Sequence, residues 1–414
     1  MKQTSQSNVS RRKFIHGATA IAAATTLPTL APPSVLGANE KIVMGIIGPG
    51  GRGRGVMRDF IGLGATFTAV CDAYSVNRER GMELAADGAK AYTDYRKLLE
   101  NKDIDAVLIG TPEHQHGVQL MDSVAAGKDA YCEKPMSHSI EEGHQMVQAV
   151  RATDRIVQVG MQRRSSPAVH KAKEMVSKCG AIHMVKAKWN WNTSSPMRYG
   201  PVDGELDWQA FCHPGPVAPF QVMRFRNWRV FWDYSGGHCC DQGTHLMDVV
   251  QWFMDCGTPT AADCFGRVYK MEGAETPDVF TANFEYGTFN ATWSLCYTNR
   301  FMDGWTITFL GDRGTLVLDG WGSRFFEDTG RGEGKPAPYR KPDWEFSGPL
   351  PTTPHVENFL DCIKSRKEPN APVEVGHAAV CGPHLANVAW HAKQRAYLSP
   401  HADKASTDPG RVGY

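Results

Sequence analysis

Residues 236–248 read GGHCCDQGTHLMD and crowd two histidines, two cysteines and two aspartates together. A helix over 241–253, entered from the Gly-rich turn, puts Asp241 and His245 on one face, because residues four apart stack on successive turns. Asp248 is the i+3 neighbour of His245. A carboxylate and an imidazole on one face can hold a substrate hydroxyl and pass its proton on. Two other readings compete. His238, Cys239, Asp241 and His245 are chemically acceptable zinc ligands, and the stretch also suits the buried start of a helix. Adjacent cysteines rarely both face one metal, and no distant Cys/His pair completes a recognisable spacing, so the expectation is that no metal is held here.

A second stretch, KIVMGIIGPGGRGRGV at 41–56, carries no acid or base that could react, but it can hold a phosphate. The apolar strand Ile42–Ile47 runs into Gly48, Pro49, Gly50, Gly51, Arg52 and Gly53, the spacing G-x-G-x-x-G. Such glycines allow a tight turn and let a diphosphate approach backbone N–H groups at the start of the next helix, expected over 54–62. The strand ATFTAVCD then ends in Asp72, placed to hold adenosine ribose hydroxyls. A carboxylate there would repel a 2′-phosphate, so NAD is favoured over NADP. Arg78 nearby softens that preference, and NADP stays possible.

The elements that must position these groups alternate. Tyr92-Thr93-Asp94-Tyr95 is expected to open a short helix to Glu100, followed by a strand at 105–109 with Gly110-Thr111-Pro112 after it, and a helix from about His116. A strand over 130–133 is followed by Lys134-Pro135, and a last one at 156–159 by Gly160-Met161-Gln162. Short strands separated by helical segments imply a doubly wound parallel sheet, which binds ligands beyond the carboxyl ends of its strands. Thr111, Pro112, Glu133, Lys134 and Gln162 all fall there.

GPGGRG, TPEHQH and CEKP together resemble the Gfo/Idh/MocA oxidoreductases, over nearly all of 42–398. The resemblance implies an α/β chain: an N-terminal Rossmann domain plus a C-terminal α/β domain on an open, mainly antiparallel sheet. It implies NAD or NADP as cofactor and hydride transfer at a secondary alcohol of a sugar, polyol or glycoside. It maps Lys134 to a residue touching substrate and cofactor, Pro135 to an unusual turn, and Thr111, Pro112 and His116 to the nicotinamide side. Asp241-Gln242-Gly243-Thr244-His245 matches the family's Asp-x-x-x-His, with His245 its usual acid–base candidate. The expected catalytic set is therefore Lys134, Asp241 and His245. The expected cofactor set is Gly48, Gly50, Gly51, Arg52, Gly53, Asp72, Thr111, Pro112, His116, Glu133 and Lys134. Some family members use a retained NAD only transiently, to cleave a glycoside; a non-catalytic sugar-binding protein is the further alternative.

The second half opens with a helix expected over 167–177 and the strand HMVKAKWNWN. A long proline-rich run follows to Tyr234, holding Trp208, Trp228 and Trp232, with Trp189 and Trp191 just before it. These aromatics either stack on sugar faces or pin the loop to the sheet; an irregular segment of this length suggests function. Alternating apolar residues and turn glycines from 263 to 328 give antiparallel strands. The sheet they form is, by the resemblance, a surface through which copies of the chain pair into a homo-oligomer. An amphipathic helix at 355–370 and a last helix at 375–396, packed back across the domain junction, complete the chain. His355, His377 and His384 are read as structural.

The chain has 414 residues, 42% hydrophobic and 21% charged, an ordinary globular composition large enough for two domains. Its net charge of +1 gives no footprint for a nucleic-acid partner. The first 39 residues hold Lys2, Arg11, Arg12 and Lys13, no acid, and a weakly apolar Ala/Thr-rich run. This is a targeting segment rather than a stable membrane span. Arg11-Arg12 followed by Lys13-Phe14-Ile15 resembles a twin-arginine export signal, implying a periplasmic or otherwise exported protein handled by that machinery. Eleven scattered cysteines without a CxxC pair read mostly as buried small apolar residues. The expected division is signal segment 1–38, nucleotide domain 39–162, substrate and oligomerisation domain 163–398, and tail 399–414.

Overall fold

The computed structural model describes residues 41–192, 197–330, 335 and 337–411. The expected signal segment lies outside the described residues. No helix among them is long and apolar enough to cross a membrane.

Six strands form a parallel sheet: β1 (Val43–Ile47), β2 (Thr66–Cys71), β3 (Lys90–Tyr92), β4 (Ala106–Ile109), β5 (Asp129–Cys132) and β6 (Val157–Val159), in the order β3-β2-β1-β4-β5-β6. The strands β1, β4 and β5 are buried almost throughout, as a sheet covered by helices on both faces requires. The order in which strands are added reverses between β1 and β4, the switch point where such sheets bind ligands. Register levels the strand ends there: Ile47 pairs with both Cys71 and Ile109, and Ile109 with Cys132. The residues that follow, Gly48, Asp72, Gly110 and Glu133, therefore share one edge.

The helix after β1 spans Gly51–Gly62, not 54–62, so Gly51, Arg52 and Gly53 form its first turn. The helix after β4 spans Glu113–Ala125, three residues earlier than expected, with Pro112 as its N-cap. Proline fixes φ but leaves a helix free to start immediately after it. The helix Thr353–Ser365, far along the chain, completes this first domain. Its Phe359 is fully buried and meets Phe60 and Tyr131 edge-on, with ring centroids 5.9 and 5.8 Å away. Gln158 Nε2 donates to the His355 carbonyl at 2.6 Å.

The second domain is built on ten strands: β7 (Ile182–Asn190), β8 (Ala261–Arg267), β9 (Val279–Glu285), β10 (Asn290–Cys296), β11 (Gly304–Gly311), β12 (Gly314–Asp319), β13 (Gly322–Glu327), β14 (Trp344–Phe346), β15 (Ala396–Leu398) and β16 (Ala405–Ser406). Their order is β14-β13-β12-β11-β7-β10-β9-β8-β15-β16. The pair β7–β10 is parallel and the other neighbours are antiparallel. The strand β9 alternates: Phe280, Ala282 and Phe284 enter the core, while Thr281, Asn283 and Glu285 face outward. The helices Gly237–Met254 and Val373–Ala392 cover the apolar face. The second also meets the helix Ile140–Arg151 and β6 of the first domain, the packing across the junction that its sequence suggested. The strand β16 carries the sheet into what reads in sequence as a tail.

The run between β7 and the helix Gly237–Met254 is less irregular than its prolines suggest. It contains the short helices Trp208–Cys212 and Val222–Arg226 and a tight turn Trp228–Val230. It has its own small core, with Phe211, Cys212, Val230, Phe231 and Tyr234 buried. It lies as a strap over the ligand edge of the first sheet. Asp207 N donates to the Ala73 carbonyl (2.9 Å) and Ser75 N to the Glu205 carbonyl (2.8 Å). Gln115 Nε2 donates to the Ala210 carbonyl at 2.8 Å. These bonds join the strap to the segments following β2 and β4.

Candidate active site

Between the parallel sheet and the strap runs a cleft of about 830 Å³. Its walls hold Gly48, Gly50, Gly51, Arg52, Asp72, Thr111, Pro112, His116, Glu133 and Lys134 from the first domain and Asp241 and His245 from the second. Every residue of the two expected sets except Gly53 thus lines one cavity. Gly53 acts behind it: a Cβ there would lie 2.3 Å from the Gly48 carbonyl oxygen. Gly48 has φ +83°, and a Cβ on it would press on Thr111 N at 2.5 Å. These two glycines let β1, β4 and the first helix close up. Gly50 and Gly51 are different, for a Cβ on either would meet nothing within 4 Å. Their missing side chains leave open cleft in front of a helix N-terminus, the room a diphosphate needs to reach backbone N–H groups. The residues present fit a dinucleotide.

Arg52 lies beside that turn, and its Nε donates to Glu133 Oε1 at 2.9 Å. Glu133 also accepts from Gln162 Nε2 at 3.2 Å. Its carboxylate is therefore occupied in bracing the cleft wall. Asp72 Oδ1 accepts from Tyr74 N at 2.8 Å. Burial pushes its carboxyl up to about 6, opposed by that bond and by Asn77, Arg78 and Arg54, so at neutral pH it is an anion that can accept from ribose hydroxyls. The Arg78 guanidinium bonds the Asp72 carbonyl oxygen (2.9 Å) rather than its carboxylate. His116 is a brace as well: its Nδ1 lies 2.7 Å from the Pro135 carbonyl oxygen and its Nε2 2.8 Å from that of Thr111. The ring ties TPEHQH to CEKP.

Lys134 follows β5 and points across the domain junction. Its Nζ donates to Asp241 Oδ1 at 2.6 Å and to the Asp241 carbonyl oxygen at 2.7 Å. The Asp241 carboxylate also accepts from Gln242 Nε2 at 2.7 Å, and Arg229 Nε stands 3.5 Å away. Burial favours the neutral acid at Asp241, but the Lys134 ammonium and Arg229 guanidinium outweigh it and hold the carboxyl well below its usual range. His245 is one turn further along the helix, which begins at Gly237 rather than 241 and so places Asp241 in its second turn. Its ring makes no hydrogen bond among the described residues and faces the cleft. Burial, then the Lys134 ammonium and the Arg163 guanidinium, hold it well below the usual imidazole value. It is neutral near pH 7 and able to take a proton. Arg163 sits close by, its guanidinium 3.9 Å from the Trp305 ring centroid and its NH1 donating to the His245 carbonyl at 3.0 Å.

The zinc candidates do not converge. Cys239 Sγ lies 3.6 Å from the Pro383 carbonyl oxygen, Cys240 Sγ lies 3.4 Å from His384 Nδ1, and the His238 ring stacks on Tyr297 and pairs with Gln242. Among the described residues no three of His, Cys, Asp and Glu are grouped as metal ligands. All eleven cysteines are free, and nine are buried. Asp248 receives Arg164 Nε at 2.6 Å and fixes the helix rather than facing the cleft. Trp208 pins the strap internally, its Nε1 donating to the Ala218 carbonyl at 2.7 Å. Trp228 is the strap tryptophan that lines the cleft.

Among the cleft residues that escaped the sequence reading, Glu113 is the most deeply buried. Glu113 is 1% exposed, and its carboxylate accepts from Ser235 Oγ (2.8 Å) and Gly236 N (2.9 Å). It ties the helix after Pro112 to the turn that launches the helix Gly237–Met254. Burial and the nearby Asp241 push its carboxyl up to about 8. The signal in the sequence is TPEHQH, with an acid at the first position of a helix, but a helix expected only from His116 leaves that acid outside it.

Open glycine positions at a helix start, a buried Lys–Asp pair and a histidine facing the cleft thus meet between two domains. Residues 42–161 match the oxidoreductase family with an NAD-binding Rossmann fold, and residues 169–317 the GFO/IDH/MocA C-terminal domain. The chain belongs to the Gfo/Idh/MocA oxidoreductases. Among curated relatives, "Glycosyl hydrolase family 109 protein 2" of Shewanella sp. (strain ANA-3) is 33% identical over 175 residues, 36% of this chain and 38% of that protein. The inositol 2-dehydrogenase of Paracoccus denitrificans is 32% identical over 148 residues, 35% of this chain and 44% of that protein. The matched stretches thus span less than half the length of these relatives. A levoglucosan dehydrogenase solved with NADH and L-sorbose superposes with a TM-score of 0.67 at 16% identity, covering 86% of this chain and 98% of that one. That likeness is one of fold.

Two outcomes are expected. Gly50→Val should abolish NAD binding, read by titration, while the thermal melt of the free protein stays unchanged, since the new side chain meets only open cleft. Retained NAD affinity would remove the diphosphate from this turn. For Glu113, the raised carboxyl means that between about 4.5 and about 8 the folded protein keeps a proton the unfolded chain has lost. Stability must therefore fall as pH rises through that window. Denaturant melts of Glu113→Gln should lack that component of the fall; a slope matching the parent protein's would show that Glu113 does not supply it.

Proposed function

We propose that the protein oxidises or reduces a secondary alcohol of a sugar or polyol with NAD. The observation that carries this is the Lys134–Asp241 pair meeting an unprotonated His245 on the wall shared with the dinucleotide cradle. When bound, the nicotinamide ring supplies the hydride acceptor. In the oxidative direction His245 takes the hydroxyl proton as the carbon surrenders hydride. Lys134, aimed by Asp241, holds the substrate oxygen and stabilises the negative charge that grows on it. In reduction the same groups return the proton.

A second reading, cleavage of a glycoside by transient oxidation with a retained NAD, has one observation in its favour. The strap closes over the ligand edge, bonded to the segments after β2 and β4, and would slow cofactor exchange. The partial match to a glycosyl hydrolase family 109 protein agrees with it. Lys134 and His245 would perform the same proton and oxygen chemistry in either case.

His245→Ala should lower turnover by roughly 10²- to 10⁴-fold while NAD affinity is kept. The parent's oxidation rate should not drop between pH 8 and pH 6 from protonation of His245, because that ring titrates well below the usual value. NADH accumulating with a free sugar or polyol supports the dehydrogenase; glycoside cleavage without NADH accumulation supports the second reading. A fully active His245→Ala variant would contradict both.

Export rests on Arg11-Arg12 and the Ala/Thr-rich run behind it. We propose that this segment sends the folded, cofactor-loaded protein through the twin-arginine route. Replacing both arginines by lysine keeps the charge and should leave the protein in the cytoplasm; an unchanged periplasmic yield would refute the route.

A further inference from the structure

The strap contributes five titratable side chains to the cleft: Arg198, Asp207, His213, Arg226 and Arg229. Three are guanidiniums, and the single carboxylate is engaged, since Asp207 Oδ1 accepts from Ala210 N at 2.9 Å as the cap of the helix Trp208–Cys212. The arginines arise from adjoining backbone. Asn227, next to Arg226, is buried, and its amide clamps Arg198 from both sides: Oδ1 accepts from Arg198 N (2.7 Å) and Nδ2 donates to the Arg198 carbonyl (2.8 Å). Arg229 lies flat on Trp228, its guanidinium carbon 4.2 Å from the ring centroid.

These charges are poorly matched within the protein. Among the described residues neither Arg198 nor Arg226 has a carboxylate within ion-pair distance. The Arg226 guanidinium donates to the Pro201 carbonyl, and its Nε is buried without a hydrogen-bond partner. Arg229 approaches Asp241 at 3.5 Å, but that carboxylate already holds Lys134. A buried donor left unpaired is costly unless a ligand completes it. A planar guanidinium is matched best by a carboxylate or a phosphate, which can accept two parallel bonds. Uncharged hydroxyls of a simple polyol would leave the positive charge uncompensated.

We propose that Arg198, Arg226 and Arg229 form an anion subsite, and that the substrate is a sugar carrying a carboxylate or phosphate group. The inference rests on the sugar-oxidoreductase reading above. The cofactor's diphosphate already has a cradle at Gly50 and Gly51, so these arginines are not needed there. Arg229, beside Asp241, ties the subsite to the reacting centre and sets which hydroxyl of an acidic sugar reaches His245.

The test measures binding to the NAD-loaded protein by calorimetry, with D-glucuronate, D-gluconate and glucose 6-phosphate against D-glucose. At least one charged sugar should bind roughly tenfold more tightly than glucose or better. The uronate and aldonate arms separate a carboxylate site from a phosphate site. That preference should collapse in Arg226→Gln and in Arg198→Gln, with NAD affinity unchanged and the melt of the apoprotein intact. Glucose binding as tightly as every charged sugar would overturn the inference and leave the redox reading standing. Variants that lose NAD affinity but keep the preference would also overturn it, by assigning the arginines to the cofactor. A parent protein that binds neither NAD nor any of these sugars would defeat both readings.

Discussion

The contact on which the site depends is the ion pair between Lys134 and Asp241. One partner closes a strand of the parallel sheet, and the other stands on a helix of the second domain. Both side chains are largely withdrawn from water, with 14% and 11% of their surfaces exposed. Desolvation costs most of what their attraction returns, so the pair is poor evidence of stability by itself. Its consequence is geometric. If Lys134 swung away to solvent, the buried Asp241 carboxylate would lose its nearest cation and keep only Gln242 and Arg229. The ammonium is held at the junction, where it can act on a substrate oxygen and keep the neighbouring imidazole unprotonated.

The rest of the architecture brings these two residues together. Level strand ends put the glycine turn, Asp72, Thr111 and Glu133 on one rim. His116 bonds the segments after β4 and β5 to each other, and Glu113 bonds the first of them to the turn before the helix Gly237–Met254. The helix Thr353–Ser365 returns from the far end of the chain to pack behind the cradle. The strap then crosses from the ribose end of the cleft to Asp241. Several of these braces are buried polar groups, each holding at least one hydrogen bond across the cleft wall.

Much of this was legible because the relevant signals are local. The glycine turn follows an apolar strand, Asp72 closes the next one, and Asp241 and His245 obey helical spacing. Each depends on chain neighbours and survives folding unchanged. Element starts were less legible. Gly51, Glu113 and Gly237 all begin helices earlier than expected, because glycine and the residue after proline read as turn when the tertiary contacts that complete the first turn are unknown. Glu113 was missed for that reason. The strap's roles were illegible on different grounds. Nothing in Trp208 and Trp228 as residues says that one pins the strap and the other faces the cleft; that depends on partners such as Ala218 and Arg229. The strand Ala405–Ser406 escaped because two residues have no periodicity to show.

The central claim is that burial and the Lys134 ammonium together keep His245 as a free base. A titration of His245 followed by NMR with isotopically labelled histidine, in the parent protein and in Lys134→Met, tests it most directly. The account predicts an imidazole that titrates far below the ordinary value near 6.5 and moves upward when the Lys134 charge is removed. A His245 that titrates near its ordinary value in the parent, indifferent to Lys134, would contradict it.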